Sequence, residues 1–291
     1  MKKKPKTPSL KHQVITALTA MKAYGQSKLD AKIENAGKVP AGKIFSHSTF
    51  KAYLGVSLRF AKWVKDAHGC RTLEEARAYM SEYLNKRINE GKSAWTLRLD
   101  AAALAKLYGI KSTELGVILP RRNLADVKQH RGSKAASQFP ESKNQDLVDF
   151  CRSCGLRRHE VEQVRPYDVW QDSDGVTIVH VRQGKGGRSR FVPALNDFPL
   201  RLAEKAMQNS WKFLFKEIPV RTPIHAYRSE YACSLYHKFA RPVVQLARAE
   251  RYVCRGILSG VVYDRAAMLR VSEALGHSRV NVMTHYLYDR V

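Results

Sequence analysis

Four short clusters in the second half of the chain carry side chains suited to handling a charged ester. They are Gly155-Leu156-Arg157-Arg158-His159-Glu160, Gly184-Lys185-Gly186, His225-Ala226-Tyr227-Arg228, and Leu275-Gly276-His277, with Tyr286 nine residues after the last. Together they hold guanidinium groups, an ammonium, imidazoles and a phenol, with no obligatory metal-ligand set. That mixture fits a phosphodiester. Guanidinium groups bind two phosphate oxygens at once and keep their proton. A lysine or imidazole among cationic neighbours can move protons. A phenol can be the oxygen nucleophile if cations and a base offset its ordinary pKa of about 10. Arg157 and Arg158 are rivals within the first cluster, because adjacent helix residues face different ways. Glu160, three residues past Arg157, shares its helical face and can fix its guanidinium. His225 and Arg228 share a face near the start of a helix opened by Thr222-Pro223, where the N-terminal potential favours an anion.

The ordered set Arg, Lys, His-x-x-Arg, His, Tyr, ending in Leu275-Gly276-His277 and Tyr286, resembles the catalytic domain of the tyrosine recombinase (phage integrase) family over roughly residues 140–291. The family pattern Gly-x-Arg-x-x-Glu selects Arg157 over Arg158. The resemblance implies a mainly α fold with a small antiparallel β-sheet: an N-terminal helical core-binding (SAM-like) domain, then a tyrosine-recombinase catalytic domain. It implies a site-specific DNA recombinase or integrase that cleaves and rejoins strands through a 3′-phosphotyrosyl intermediate, with no metal, ATP or other cofactor. The catalytic set would be Arg157, Lys185, His225, Arg228, His277 and the nucleophile Tyr286, with Glu160 supporting Arg157 and Tyr288 as the fallback nucleophile. The expected partners are double-stranded recombination sites, further copies of the chain in a tetramer on DNA, and accessory DNA-bending proteins. The expected location is the cytoplasm, on the nucleoid, in the service of a mobile genetic element. Two other readings stay open. A nicking-closing enzyme, such as a type IB topoisomerase or a telomere resolvase, shares this chemistry without pairing two sites. A non-catalytic basic nucleic-acid-binding protein accounts for the charge alone.

The charge itself points to a polyanionic partner, DNA or RNA, against the alternative of a merely soluble or ribosome-associated basic protein. Lys and Arg number 51 against 26 acids, a formal balance of +25, and such an excess repels itself in a compact fold unless phosphates neutralise it. Residues 1–43 hold ten lysines against Asp30 and Glu34. Lys2, Lys3 and Lys4 are expected to touch phosphate backbone, as are Arg121 and Arg122 in a basic connection and Arg188 and Arg190 beside the hairpin. The opening lysines lack the apolar run of a signal peptide, and no stretch approaches the ~20 apolar residues of a membrane span. Five scattered cysteines argue against a disulfide framework. Cys151-x-x-Cys154 lacks the second pair a structural zinc site needs, so reduced helix cysteines are expected.

The elements that must position these groups can be sketched from periodicity. Residues 46–108 read as successive amphipathic helices. A first stripe runs through Phe50, Leu54, Leu58, Ala61 and Val64 to Gly69. Thr72 and Glu75 form a capping box for a second helix through Ala76, Met80, Tyr83 and Ile88, and Ser93 caps a third carrying Leu97, Ala101 and Leu104. Further on, Ser142–Cys154 and Arg157–Val164 suggest helices, the latter halted by Pro166. Val176–Val181 and Arg188–Val192 suggest a β-hairpin with Lys185 at its tip. Helices are expected from about Asp197, Thr222, Asp264 and Ser278. The domain plan is therefore a basic arm or helix at 1–43, a helical DNA-binding (core-binding) domain with linker at 44–135, and a catalytic domain at 136–291. Fifty-two residues separate His225 from His277, about twice the spacing the resemblance leads one to expect. The extra segment at 242–264 is expected to be an added helix or a neutral insertion. Only five residues follow Tyr286, so any contact between copies is expected from the basic N-terminal region or from this segment.

Overall fold

The computed structural model describes residues 8–38, 40, 42–123, 139–185 and 187–287. The chain is mainly helical with a small antiparallel sheet, and it divides into two compact units, residues 1–126 and 127–291.

In the first unit most helices begin where a hydroxyl side chain satisfies an orphan amide. Ser9 caps α1 (Leu10–Ala20), Ser27 caps α2 (Lys28–Glu34), Ser46 caps α3 (His47–His68), and Ser93 caps α6 (Ala94–Leu107). The Thr72–Glu75 capping box forms as expected and opens α4 (Leu73–Arg77). The helix expected to run on from there is instead broken at Ala78–Tyr79, and α5 spans Met80–Asn89. The predicted stripes point inward in part: Leu54, Leu58 and Ile88 are only half-buried, while Phe60 and Leu84, outside the stripes, are fully buried. Phe60, Val64, Tyr83, Leu84 and Leu104 form one apolar cluster with Leu10, Val14 and Leu18 of α1. Tyr83 is thus a core residue, while Trp95 is exposed. Buried Asp100 is held by Arg87 at 3.1 Å and Arg59 at 3.5 Å. Such a carboxylate is tolerated inside a core only because cations accompany it.

The second unit is built around a three-stranded antiparallel sheet in the order β1 (Val169–Gln171), β2 (Thr177–Val181), β3 (Arg190–Pro193). The hairpin forms where expected; β1 is an added strand whose three residues are too short to show a period. Along β2, Thr177, Val179 and Val181 face the core and alternate with more exposed positions. Helices α7 (Gln145–Cys154), α9 (Phe198–Gln208), α10 (Ile224–Phe239) and α11 (Arg265–Ala274) complete the core. The helix expected at Arg157–Val164 is only the single turn α8 (Arg158–Val161), and Pro166 opens a 3-10 turn instead of merely stopping a helix. After Ser278 the chain makes a 3-10 turn, Val280–Met283, before the short α12 (Thr284–Leu287), so no long helix starts at Ser278.

The 242–264 segment is not an added helix. It is three 3-10 turns and an antiparallel pair, β4 (Arg251–Val253) with β5 (Val262–Asp264). Asp264 anchors it, accepting from Arg241 Nε at 2.8 Å while also capping α11. All five cysteines are buried and none is joined in a disulfide. Burial pushes the Cys151 thiol up to about 12 and that of Cys154 well above its ordinary value, so both stay protonated and unreactive. Among the described residues no helix is long and apolar enough to cross a membrane.

Candidate active site

Tyr286 sits on α12, whose neighbours Met283 and Leu287 are fully buried. Its carbonyl accepts a contact from Cys233 Sγ on α10 at 3.4 Å. The phenol therefore rests on a fixed base, and its hydroxyl meets two groups. Arg228 Nε donates to it at 3.4 Å, and His277 Nε2 lies 3.3 Å away.

Arg228 is fully buried in α10. Its Nη1 donates to Gly155 O and its Nη2 to Leu275 O, both at 2.6 Å. These partners are neutral carbonyls, so they orient the guanidinium and leave its charge uncancelled. Burial pulls its pKa down, yet a guanidinium starts so high that it remains charged. The Gly155 carbonyl reaches Arg228 because the chain turns there with φ +56°. A Cβ at this position would lie 2.4 Å from the Tyr231 ring. Only glycine fits.

Arg157 stands at the start of α8. Glu160 accepts from its backbone amide at 2.8 Å and from its Nη1 at 2.8 Å, the carboxylate serving as both helix cap and guanidinium anchor. The other terminal nitrogen, Nη2, is 3.4 Å from His277 Nε2, as is Arg228 Nη2. Glu160 is itself buried, and although burial opposes ionisation, Arg190 and Arg157 hold its carboxyl down at about 2. His277 is depressed to about 4, first by burial and then by Arg228, Arg157, Lys185 and Arg190. It is neutral near pH 7. Its Nε2 faces two guanidinium donors and a hydroxyl, which assigns that nitrogen as the acceptor and Nδ1 as the protonated one.

Four of the six expected catalytic residues thus converge: Arg157, Arg228, His277 and Tyr286. Lys185 is exposed in the turn between β2 and β3, closed by Gly184 N donating to Arg188 O at 2.8 Å. Its charge is near enough to help depress His277. His225 is exposed in the first turn of α10, one turn before Arg228. His277 follows the C-terminal end of α11 through Gly276 rather than opening a helix, so the helix N-terminus expected beside it is not there.

Arg158, the sequence rival of Arg157, points elsewhere. It donates to the carbonyls of Ile218, Pro219, Val220 and Thr222, all within 3.2 Å, and so pins the loop that feeds α10. Tyr227 and Tyr263 are buried packing residues; Tyr288 lies outside the described residues. Lys2, Lys3 and Lys4 also lie outside them. Arg121 and Arg122 are exposed and, with Arg98, line a shallow basic pocket of the first unit. Arg188 is exposed. Arg190, expected among the DNA contacts, is turned inward instead. Its guanidinium grips Glu160 at 2.9 and 2.7 Å and donates to Ala274 O at 2.9 Å. A signal was available in the sequence: Arg190 is two residues from Val192, and alternation puts both on the core face. Among the described residues no three potential metal ligands gather.

The chain matches no family model and no curated protein sequence. Solved structures do match it. XerH site-specific recombinase bound to palindromic difH substrate, in a post-cleavage complex, aligns at 16% identity over 95% of this chain and 90% of its own, with a TM-score of 0.53. The pre-cleavage complex of XerH with difH aligns at 15% identity over 97% and 91%, with a TM-score of 0.51. The fold is that of the tyrosine recombinases. The Tn1549 transposon integrase in complex with transposon right end DNA aligns at 12% identity over 98% and 96%, with a TM-score of 0.44. Within the tyrosine recombinase fold of this chain, α8, the β2–β3 turn, α10, the turn after α11 and α12 are the elements that carry the four sequence clusters.

Proposed function

We propose that the chain is a site-specific DNA recombinase that breaks and rejoins strands through a phosphotyrosyl bond. The observation that carries this reading is the meeting of two guanidinium groups, a neutral imidazole and a phenol, with Glu160 accepting from one of the guanidinium groups, that of Arg157. Arg157, Arg190, Arg228 and nearby Lys185 outweigh that carboxylate, and a bridging phosphate is the natural counterion. Arg157 and Arg228 bind its non-bridging oxygens and the charge that grows on them in the transition state. The Tyr286 oxygen attacks phosphorus, its proton passing to His277 Nε2, and the bond to the 5′ oxygen breaks. That oxygen takes a proton from Lys185 and leaves as a hydroxyl. The 3′-phosphotyrosyl ester keeps the bond energy, so the reverse attack reseals a strand without ATP. The partners are paired duplex sites, joined by four copies of the chain on cytoplasmic DNA, in the manner of an integrase. The XerH complexes with difH support DNA as the substrate class.

The test is covalent capture. The intact protein is incubated with a pool of randomised duplexes bearing staggered nicks, so that the short fragment released with a 5′ hydroxyl diffuses away and the adduct accumulates. Denaturing gels should show protein–DNA adducts, peptide mapping should assign them to Tyr286, and Tyr286→Phe should form none. Binding of the pool with no adduct would leave only a DNA-binding protein. Relaxation of a supercoiled plasmid at limiting protein, without exchange between captured duplexes, would favour a nicking-closing enzyme.

A further inference from the structure

We propose that Arg190 is a positioning residue of this active site: through Glu160 it sets Arg157, and through the Ala274 carbonyl it locks the turn that carries His277. The inference rests on the recombinase reading for its catalytic consequence, and on geometry alone for its structural one.

Three observations converge on this side chain. The first is its pairing. Glu160 Oε1 accepts from both Arg157 Nη1 and Arg190 Nη1, at 2.8 and 2.9 Å, while Oε2 accepts from Arg190 Nη2 and from the Arg157 amide, at 2.7 and 2.8 Å. Each carboxylate oxygen that accepts from Arg157 is thus also held by Arg190. The second is charge. One carboxylate facing Arg157 alone would cancel the cation needed at the phosphate. Shared between two guanidinium groups, it fixes Arg157 and leaves the cluster net positive.

The third is packing. Arg190 is only 10% exposed, and two glycines of the sequence clusters give it room. A Cβ at Gly276 would lie 2.9 Å from Arg190 Cδ, and one at Gly184 would lie 2.8 Å from its Nη1. The glycines preceding His277 and Lys185 are therefore the walls of the Arg190 slot. One buried side chain on β3 touches the structures that deliver Arg157, Lys185 and His277.

Arg190→Lys and Arg190→Met are to be compared with the unaltered protein, using a duplex recovered from the captured pool. Lysine keeps the charge but cannot fork between both Glu160 oxygens and Ala274 O. Single-turnover adduct formation at saturating DNA should fall about 10²-fold, the cost of a small misplacement of reacting groups. DNA affinity and its salt dependence should stay unchanged. A weaker complex whose salt slope drops by about one, with the saturating rate intact, would make Arg190 a phosphate contact and overturn the proposal. Glu160→Gln combined with Arg190→Lys should slow cleavage no more than the worse single change; additive losses would overturn the proposal as well. A separate readout needs no DNA. In the free protein the His277 imidazole, followed by NMR, should titrate at higher pH in folded Arg190→Met than in wild type. An unmoved titration refutes the geometric half. Absence of any adduct from wild type would count against the recombinase reading, and the NMR result would still judge Arg190. If the methionine variant does not fold, the lysine variant and the double-variant comparison decide.

Discussion

His277 lies in a cationic setting that keeps it uncharged, depressed to about 4 by burial and by the two arginines at its Nε2. In the unfolded chain the same imidazole titrates near 6.5. Between those two values the unfolded state binds the extra proton, so this residue makes the folded state less stable as pH falls from 6.5 to 4. Below that range it adds nothing further. Denaturation midpoints measured across pH 4 to 7 should therefore slope, and His277→Gln should flatten the slope. The two neighbouring arginines separate in the same way. Arg157→Ala should leave folding nearly intact while reducing adduct formation on the order of 10²–10³-fold, the usual loss on removing a preorganised donor. Arg158→Ala should do the reverse, costing about 1–2 kcal/mol as four loop carbonyls lose a charged donor, visible in urea titrations. Sequence pattern could choose between these two; only the folded chain gives the reason, because Arg158 is spent on four loop carbonyls.

At the level of elements, the tight joint between α7 and α10 is the most exposed to substitution. Gly155→Ala puts a methyl group into the Tyr231 ring and forces a side chain into a left-handed conformation. The expected cost is about 2–4 kcal/mol from strain and overpacking together. It should also cut cleavage, since the Gly155 carbonyl orients Arg228. Chemical denaturation and the adduct assay check the two halves. The same scale explains what could be read from sequence. Long helices with hydroxyl caps and clear stripes, α3 and α6 above all, were legible because periodicity over many residues dominates local ambiguity. The break between α4 and α5 was not, because Ala78 and Tyr79 carry no helix-stopping chemistry and packing decides there. The three-residue β1 and the single-turn α8 are too short for any period. Arg190 was read as a phosphate contact, and its pairing was missed for another reason. Its partner Glu160 is thirty residues earlier in the chain, and pairing at that distance exists only after the sheet has folded.

Across the whole molecule the surplus of 25 positive charges sets how binding responds to salt. Neutralising even six phosphates should lower duplex affinity by about 10³-fold between about 50 and 200 mM salt. Filter binding over that range should show it, with Tyr286→Phe giving the same slope because the nucleophile carries no charge. A slope near zero would mean that the excess cations face something other than a nucleic acid.

Tyr286 and the two guanidinium groups around it belong to a single polypeptide. The hydroxyl is already in contact with Arg228 and His277 of its own chain, so no copy has to borrow a nucleophile from its neighbour. Mixed assemblies should obey a simple genetics. Co-purified Tyr286→Phe and Arg228→Ala proteins should remain as inert together as each is alone. Restored cutting in the mixture would mean that α12 can leave its chain and be shared.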